Sequence, residues 1–203
     1  MKRLFLIFIL INLSCAQLCY SQNGKPSSKY LPKVGLKAGF SFPNFNVSYA
    51  DSSIKSDTRR IMSYILGGIV NIPLSETFSI RTGLELVRKG AVEIKDSYNY
   101  TYRQRSSYTF IDLPINLIYM NNNKGGLLAG GGIVIGHTSG NGYSNIYPSP
   151  FDMGVNVLTG YELPIGFSIM LNYFQGLKNV SNDKSYMTNL KNNYFGLTVG
   201  YMF

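Results

Sequence analysis

Ile111-Asp112-Leu113-Pro114-Ile115-Asn116-Leu117-Ile118-Tyr119 decides the fold class. Ile111, Leu113, Ile115, Leu117 and Tyr119 fall on one phase of a two-residue period, and Asp112, Pro114 and Asn116 fall on the other. Successive side chains of a β-strand point to opposite faces, so the stretch reads as a strand with one apolar and one polar face. The alternation recurs around it. Phe78, Ile80, Thr82, Leu84 and Leu86 oppose Ser79, Arg81, Gly83 and Glu85. Met153, Val155, Val157, Thr159 and Tyr161 oppose Asp152, Gly154, Asn156 and Gly160. Phe167, Ile169, Leu171 and Tyr173 face away from Ser168, Met170 and Asn172, and Phe195, Leu197, Val199, Tyr201 and Phe203 from Gly196, Thr198 and Gly200. Segments 60–74 and 127–137 are apolar or Gly-rich on both phases, which leaves their facing open.

Outward from these stretches the chain divides into strand segments at 34–42, 60–74, 78–90, 107–120, 127–137, 151–162, 167–177 and 192–203. Most are near the ~9–11 residues that a tilted membrane strand needs. Short connections (75–77, 121–126, 163–166) alternate with long ones (43–59, 91–106, 138–150, 178–191). That alternation is expected of a barrel with tight turns on one rim and long loops on the other, with both termini on the turn side. The fold expected is all-β, an eight-stranded antiparallel transmembrane β-barrel over residues 33–203.

The start of the chain sets the compartment. Met1-Lys2-Arg3 followed by the apolar run from Leu4 to Leu13, then Ser14, Ala16 and Ser21, reads as a cleaved signal peptide over residues 1–21. An h-region of roughly 10 residues is too short to span a bilayer as a helix. Cleavage after Ala16 or after Ser21 fits; acylation of Cys15 or Cys19 is the rival reading, weakened by misplaced leucines. Residues 22–32, with Pro26 and Pro32, read as a polar lead-in. Both cysteines sit in or beside the leader, which removes a disulfide scaffold or thiolate metal cluster from consideration.

Composition narrows the class further. Charged residues make up 14% of the chain, against ~25% in ordinary soluble domains. The 21 Gly, 16 Tyr and 12 Phe favour strands and tight turns. Without Lys2 and Arg3, 17 basic residues face 10 acidic ones, a net charge of +7. For an exported chain this favours anionic lipid over nucleic acid as a partner. A soluble exported barrel binding a small apolar ligand is the alternative, with the apolar phase turned inward. Two aromatic belts argue against it: Phe78, Tyr119, Tyr161, Phe167, Tyr201 and Phe203 near the turn rim, and Phe40, Phe42, Tyr108, Phe110, Phe151 and Tyr173 near the loop rim.

Several stretches carry a resemblance. Val34-Gly35-Leu36-Lys37-Ala38-Gly39-Phe40, Tyr108-Thr109-Phe110-Ile111-Asp112-Leu113-Pro114-Ile115, and Asp152-Met153-Gly154 leading to Gly160-Tyr161-Glu162-Leu163 are its main motifs. With Tyr173-Phe174-Gln175-Gly176-Leu177-Lys178-Asn179-Val180 and the final Phe203, the chain resembles the PorT-like outer-membrane β-barrel family, also described as the outer membrane protein beta-barrel domain. The resemblance covers roughly residues 33–203. It implies an OmpA- or OmpX-sized barrel in the bacterial outer membrane, with an accessory role in protein secretion attached to one member type. The end of such barrels is read by the barrel-insertion machinery, and here Thr198 stands where many members have Gly.

On this reading Lys37, Arg81, Glu85, Asp112, Asn116, Asp152, Asn156, Asn172 and Thr198 form an inward polar network of structural role. An eight-strand lumen is just wide enough for side chains to fill it, so charges there must pair. Arg81 and Lys37 against Glu85 and Asp112 would balance. Pro114, mid-strand and without an N–H, predicts a bulge or kink. Most cations lie on or beside the long-loop rim, Arg88, Lys89, Lys178 and Lys191 among them, with Glu93 among the opposing acids; Glu162 falls in a short turn. Arg59, Arg60, Arg103 and Arg105 are candidates for lipopolysaccharide phosphates. His137 with Ser139, Ser144 and Asp152 is the one set that a hydrolase could use. A lone histidine in a Gly/Ser-rich stretch is more often solvated polar composition, so no catalysis is expected. Gly130-Gly131-Gly132 lacks the Lys and helix of a phosphate loop. No metal, cofactor or nucleic acid is expected.

Overall fold

The computed structural model describes residues 31–49, 56–97, 100–121, 125–143, 149–180 and 187–203. The expected leader over 1–21 lies outside them, as does all of 22–32 but its last two residues. The described chain is all strand and turn: β1 Lys33–Tyr49, β2 Ser56–Arg59, β3 Ser63–Pro73, β4 Phe78–Ser97, β5 Tyr100–Met120, β6 Gly126–Tyr143, β7 Phe151–Glu162, β8 Phe167–Gly176 and β9 Met187–Met202. Every neighbouring pair is antiparallel, and β4 pairs with β5 to close the sheet into a ring. Both β2 and β3 ladder onto β4, so nine strands build eight staves.

The facing follows the sequence period. Leu36, Leu84, Leu86, Ile111, Val157, Leu171 and Leu197 stand exposed on the outside, while Arg81, Glu85, Asp112, Asn116, Asp152, Asn156 and Thr198 are buried inside. An exposed apolar belt around the whole ring has no place in water, where large apolar patches are avoided. It matches hydrocarbon, which also accounts for ring closure, since lipid offers an open strand edge no hydrogen-bond partner. The soluble alternative needed the opposite facing, and it falls. In the two strands whose facing was open, Ile65 and Ile69 of β3 and Leu128 and Val134 of β6 turn inward.

Inward apolar side chains group at three levels. Ile69, Ile118, Met120, Leu128, Met170 and Met202 form one cluster toward the short turns. Ile65, Val87, Val134, Phe174 and Tyr194 form a second, and Phe45, Ala91, Val180 and Leu190 a third toward the long-loop end. The interior is therefore less polar than the alternation alone implies. Filling a lumen this narrow requires volume, and aliphatic side chains supply it without a polar group to satisfy.

Three local expectations are corrected. Residues 91–97 and 100–106 are strand, not loop: β4 and β5 pair without interruption from Glu85↔Asp112 to Ser97↔Tyr100. The alternation fades there because only hydrocarbon demands an apolar face; backbone pairing continues past it. Tyr108 and Phe110 leave the outer aromatic belt and are buried inside, on the phase of Asp112. The turn-rim belt stays outside, with Phe78 against Tyr119 at 5.4 Å and Tyr201 against Phe203 at 5.3 Å between ring centroids. Pro114 causes no bulge. The β4–β5 ladder skips Gly83 and Leu84 opposite Leu113 and Pro114 and resumes in the same register, and Thr82 Oγ1 donates to the Pro114 carbonyl at 2.7 Å. The register shifts instead between Tyr108 and Phe110 on the β5–β6 seam and between Ser48 and Tyr49 on the β1–β9 seam.

Local chemistry shapes the turns. Ser75 Oγ accepts from the Thr77 and Phe78 amides at 3.3 and 3.0 Å. In the β7–β8 turn Gly166 takes φ +87°, a left-handed conformation open to glycine, and its N–H reaches the Leu163 carbonyl at 2.9 Å.

The outward facing carries a test. Val157→Lys, mid-strand on the exposed apolar face, should lower folding stability in phospholipid vesicles by about 2–4 kcal/mol, read from urea titrations followed by far-ultraviolet circular dichroism. A loss within about 0.5 kcal/mol, ordinary for a water-facing position, would put that face in water.

Candidate functional site

The inward phase of β4 sets Arg81, Glu85 and Lys89 one above another, because every second residue of a strand shares a face. Register then brings their partners. Glu85 lies opposite Asp112 on β5, Asp112 opposite Gly136 on β6, and Gly136 opposite Asp152 on β7, so three carboxylates share one row around the wall. A Cβ on Gly136 would collide with Asp112 Oδ1, so glycine leaves room for that carboxylate.

Lys89 pairs with that carboxylate. Its Nζ stands 3.0 Å from Asp112 Oδ2 and 3.0 Å from Asp152 Oδ2, with only 1% of the side chain exposed. It also lies over the Phe174 and Phe110 rings, 4.3 and 4.7 Å from their centroids. Asn192 Nδ2 donates to Asp152 Oδ2 at 2.9 Å. Lys37 Nζ pairs with Glu85 Oε1 at 2.5 Å. Arg81 reaches across to Glu162 Oε2 at 2.8 Å, and its Nε donates to Asn71 Oδ1 at 3.2 Å. Asn156 Nδ2 donates to Asn116 Oδ1 at 3.2 Å. Asn172 and Thr198 join Lys37, Glu85 and Tyr194 around a polar cavity. Water centres could occupy about 30 Å³ there, above the ~10–15 Å³ that one water needs.

Seven of the nine residues expected inside are buried, and Lys37 and Asn172, half-buried, line the inner cavity, but the pairing differs from the balance of Arg81 and Lys37 against Glu85 and Asp112. Lys89 and Glu162, assigned to the rims, are the missing partners, and Glu93 also turns inward. The missing signal was present in the period. Lys89 lies on the phase of Arg81 and Glu85, and Glu162 on that of Asp152 and Asn156, one or two steps past the point where the apolar phase stops. Among the described residues no three His, Cys, Asp or Glu side chains converge as metal ligands; the space between Asp112 and Asp152 is taken by the Lys89 ammonium.

Arg59, Arg60, Arg103 and Arg105 are all exposed at the loop end, yet they form no single patch. Arg59 and Arg105 flank Val92 in one row across β2, β4 and β5, and Arg103 lies opposite Ile94. Arg60 instead reaches over the β1–β9 seam, donating to the Phe42 carbonyl at 2.8 Å and Asn193 Oδ1 at 2.9 Å. Arg88 bonds Ser107 Oγ at 2.9 Å. The possible hydrolytic set is not assembled: His137 faces out while Asp152 is buried inside, on opposite sides of the wall. Ser139 faces out and donates to the Thr109 carbonyl at 3.2 Å, and Ser144 lies outside the described residues.

Among solved structures, the outer membrane protein OprG from Pseudomonas aeruginosa is similar at 10% identity and a TM-score of 0.55, over 86% of this chain and 97% of that one. The attachment invasion locus protein Ail of Yersinia pestis is similar at 12% identity and a TM-score of 0.46, over 84% of this chain and 98% of that one. Neisserial surface protein A, NspA, is similar at 10% identity and a TM-score of 0.46, over 84% and 97%. At such identities only the likeness to OprG speaks, and it speaks for the fold. No curated protein sequence matches the chain. The family model described as "Outer membrane protein beta-barrel domain" matches residues 20–182. With a closed ring, an apolar exterior and a match across most of its length, the chain belongs to the outer membrane protein beta-barrel domain family and resides in the bacterial outer membrane.

Proposed function

We propose that this barrel is a sealed, non-catalytic membrane body whose lumen is plugged by its own side chains, and whose loop end is the surface that meets partners. Residues 1–21 serve as the export leader, and the quoted motifs support a place in the PorT-like branch. The observation that carries the reading is the Lys89 ammonium seated between Asp112 and Asp152 and roofed by Phe110 and Phe174. Apolar clusters lie both toward the turns and toward the loops. A conducting pore needs a continuous wetted path, whereas this interior alternates greasy clusters with paired ions. Arg59, Arg60, Arg103 and Arg105 give the loop end a cationic character suited to lipopolysaccharide phosphates.

Conductance tests the seal. In planar bilayers the purified barrel should show no steady channel openings, and Glu85→Ala, which frees Lys37, should show none or only a small leak. Stable openings of the wild type would end the reading.

The ion cluster makes a separate prediction. Lys89→Ala strands two buried aspartates, and breaking a buried pair costs about 3–5 kcal/mol. Urea unfolding in vesicles should register a loss of that order. Lys89→Met combined with Asp112→Asn and Asp152→Asn should recover most of it, because the replacement leaves no uncompensated charge. If Lys89→Ala unfolds like the wild type, the lysine does not hold the interior together.

A further inference from the structure

The outer surface across β8, β9 and β1 changes character within one step of the ladder. Tyr173, Phe195 and Phe42 lie in one outward row. Gln175, Asn193 and Asn44 form the next row toward the loops, and Lys191 with Asn46 the one beyond. Aromatic side chains give way to amides and then to a cation, the order of a membrane boundary. Tyr173 and Phe195 pack with ring centroids 4.7 Å apart.

Arg60 is laid across this boundary from the neighbouring connection. Its guanidinium lies 4.8 Å from the Phe195 ring centroid, and it is held by the Phe42 carbonyl at 2.8 Å and Asn193 Oδ1 at 2.9 Å. Asn193 is itself fixed by donating to Asn46 Oδ1 at 3.0 Å. These bonds use two of the five N–H donors that a guanidinium carries. The side chain remains exposed, so the other donors are open to a ligand. A long, mobile side chain has thus been immobilised before any ligand arrives, which lowers the ordering cost of binding.

We propose that Arg60, with Lys191 one outward row beyond its Asn193 anchor, is a pre-organised site for the phosphate of a phosphorylated glycolipid (lipid A) in the outer leaflet. The acyl chains would lie down the apolar face that begins at Phe195, Phe42 and Leu197. A free phosphate would need only the cation. The continuity of the guanidinium with an aromatic shelf and an apolar wall selects a molecule with a phosphate head and hydrocarbon tails. A planar guanidinium binds phosphate through two parallel bonds, which lysine alone cannot do. This inference rests on the proposed lipopolysaccharide contact of the loop end and assigns it to one place.

The test is lipid retention by the purified full-length barrel in a neutral detergent, counted by native mass spectrometry against added diphosphoryl lipid A, dephosphorylated lipid A and phosphatidylglycerol. The wild type should retain diphosphoryl lipid A, retain the dephosphorylated form far less, and lose lipid A in about 0.5 M NaCl, where screening reaches only a few Å. Arg60→Gln should weaken retention by about tenfold or more, and Arg60→Lys should recover only part of it. Heat-modifiable gel migration would confirm that each variant is folded. Unchanged retention by Arg60→Gln, or equal retention of phosphatidylglycerol by the wild type, overturns the proposal. If instead Arg59→Gln with Arg105→Gln abolishes retention and Arg60→Gln does not, the loop end still meets lipopolysaccharide but this site is wrong. No retention of lipid A by the wild type removes both.

Discussion

A backbone N–H or C=O turned toward hydrocarbon has nothing to bond, and each one left unsatisfied costs several kcal/mol. The β4–β5 seam answers that constraint by joining the two ends of the sheet, with pairing from Phe78↔Tyr119 at the turn rim to Ser97↔Tyr100 beyond the barrel. Ring closure frees the outer face to be almost wholly apolar. It also fixes the number of staves, and with it the width of the interior. Even at Pro114, which lacks the N–H a ladder needs, the wall keeps its register, and the Thr82 hydroxyl bonds the proline carbonyl.

The narrow interior governs its chemistry. Ionised side chains on the inward phase have nowhere to find bulk water, and an unpaired ion there would be far costlier than a neutral filler. The chain meets this with glycine as much as with counter-ions. Gly136 stands between Asp112 and Asp152 in the row, and its missing side chain leaves room for the Asp112 carboxylate that pairs with Lys89. The aromatic faces of Phe110 and Phe174 complete the ammonium's surroundings. Aliphatic clusters fill the remaining volume above and below.

The outside obeys a different solvent, and its features sort by depth. Leucine, isoleucine and valine occupy the middle of the wall, aromatic rings its margins, and amides and cations the rows beyond. Among the described residues, cations are seated on marginal rings at two places, Arg60 over Phe195 and Lys178 over Phe151 at 4.5 Å. An aromatic face stabilises a partly dehydrated cation, so the boundary between greasy and charged surface is a contact rather than a gap.

The alternation at 78–86, 111–119, 153–161, 167–173 and 195–203 was enough, by itself, to place strands and to say which phase faces out, because a two-residue period maps directly onto two sides of a wall. Seven of the nine residues expected inward are buried, and Lys37 and Asn172 line the inner cavity. The same rule puts Phe110 off the outer belt and Lys89 off the rim, since both lie on phases already assigned, however near a strand end they fall. What only the tertiary structure decided is which charges meet. Lys89 with Asp112 and Asp152, Arg81 with Glu162, and Arg60 with Phe195 join residues from 23 to 135 positions apart. Their pairing depends on stagger between strands and on ring closure, and neither leaves a mark in the period of any single strand.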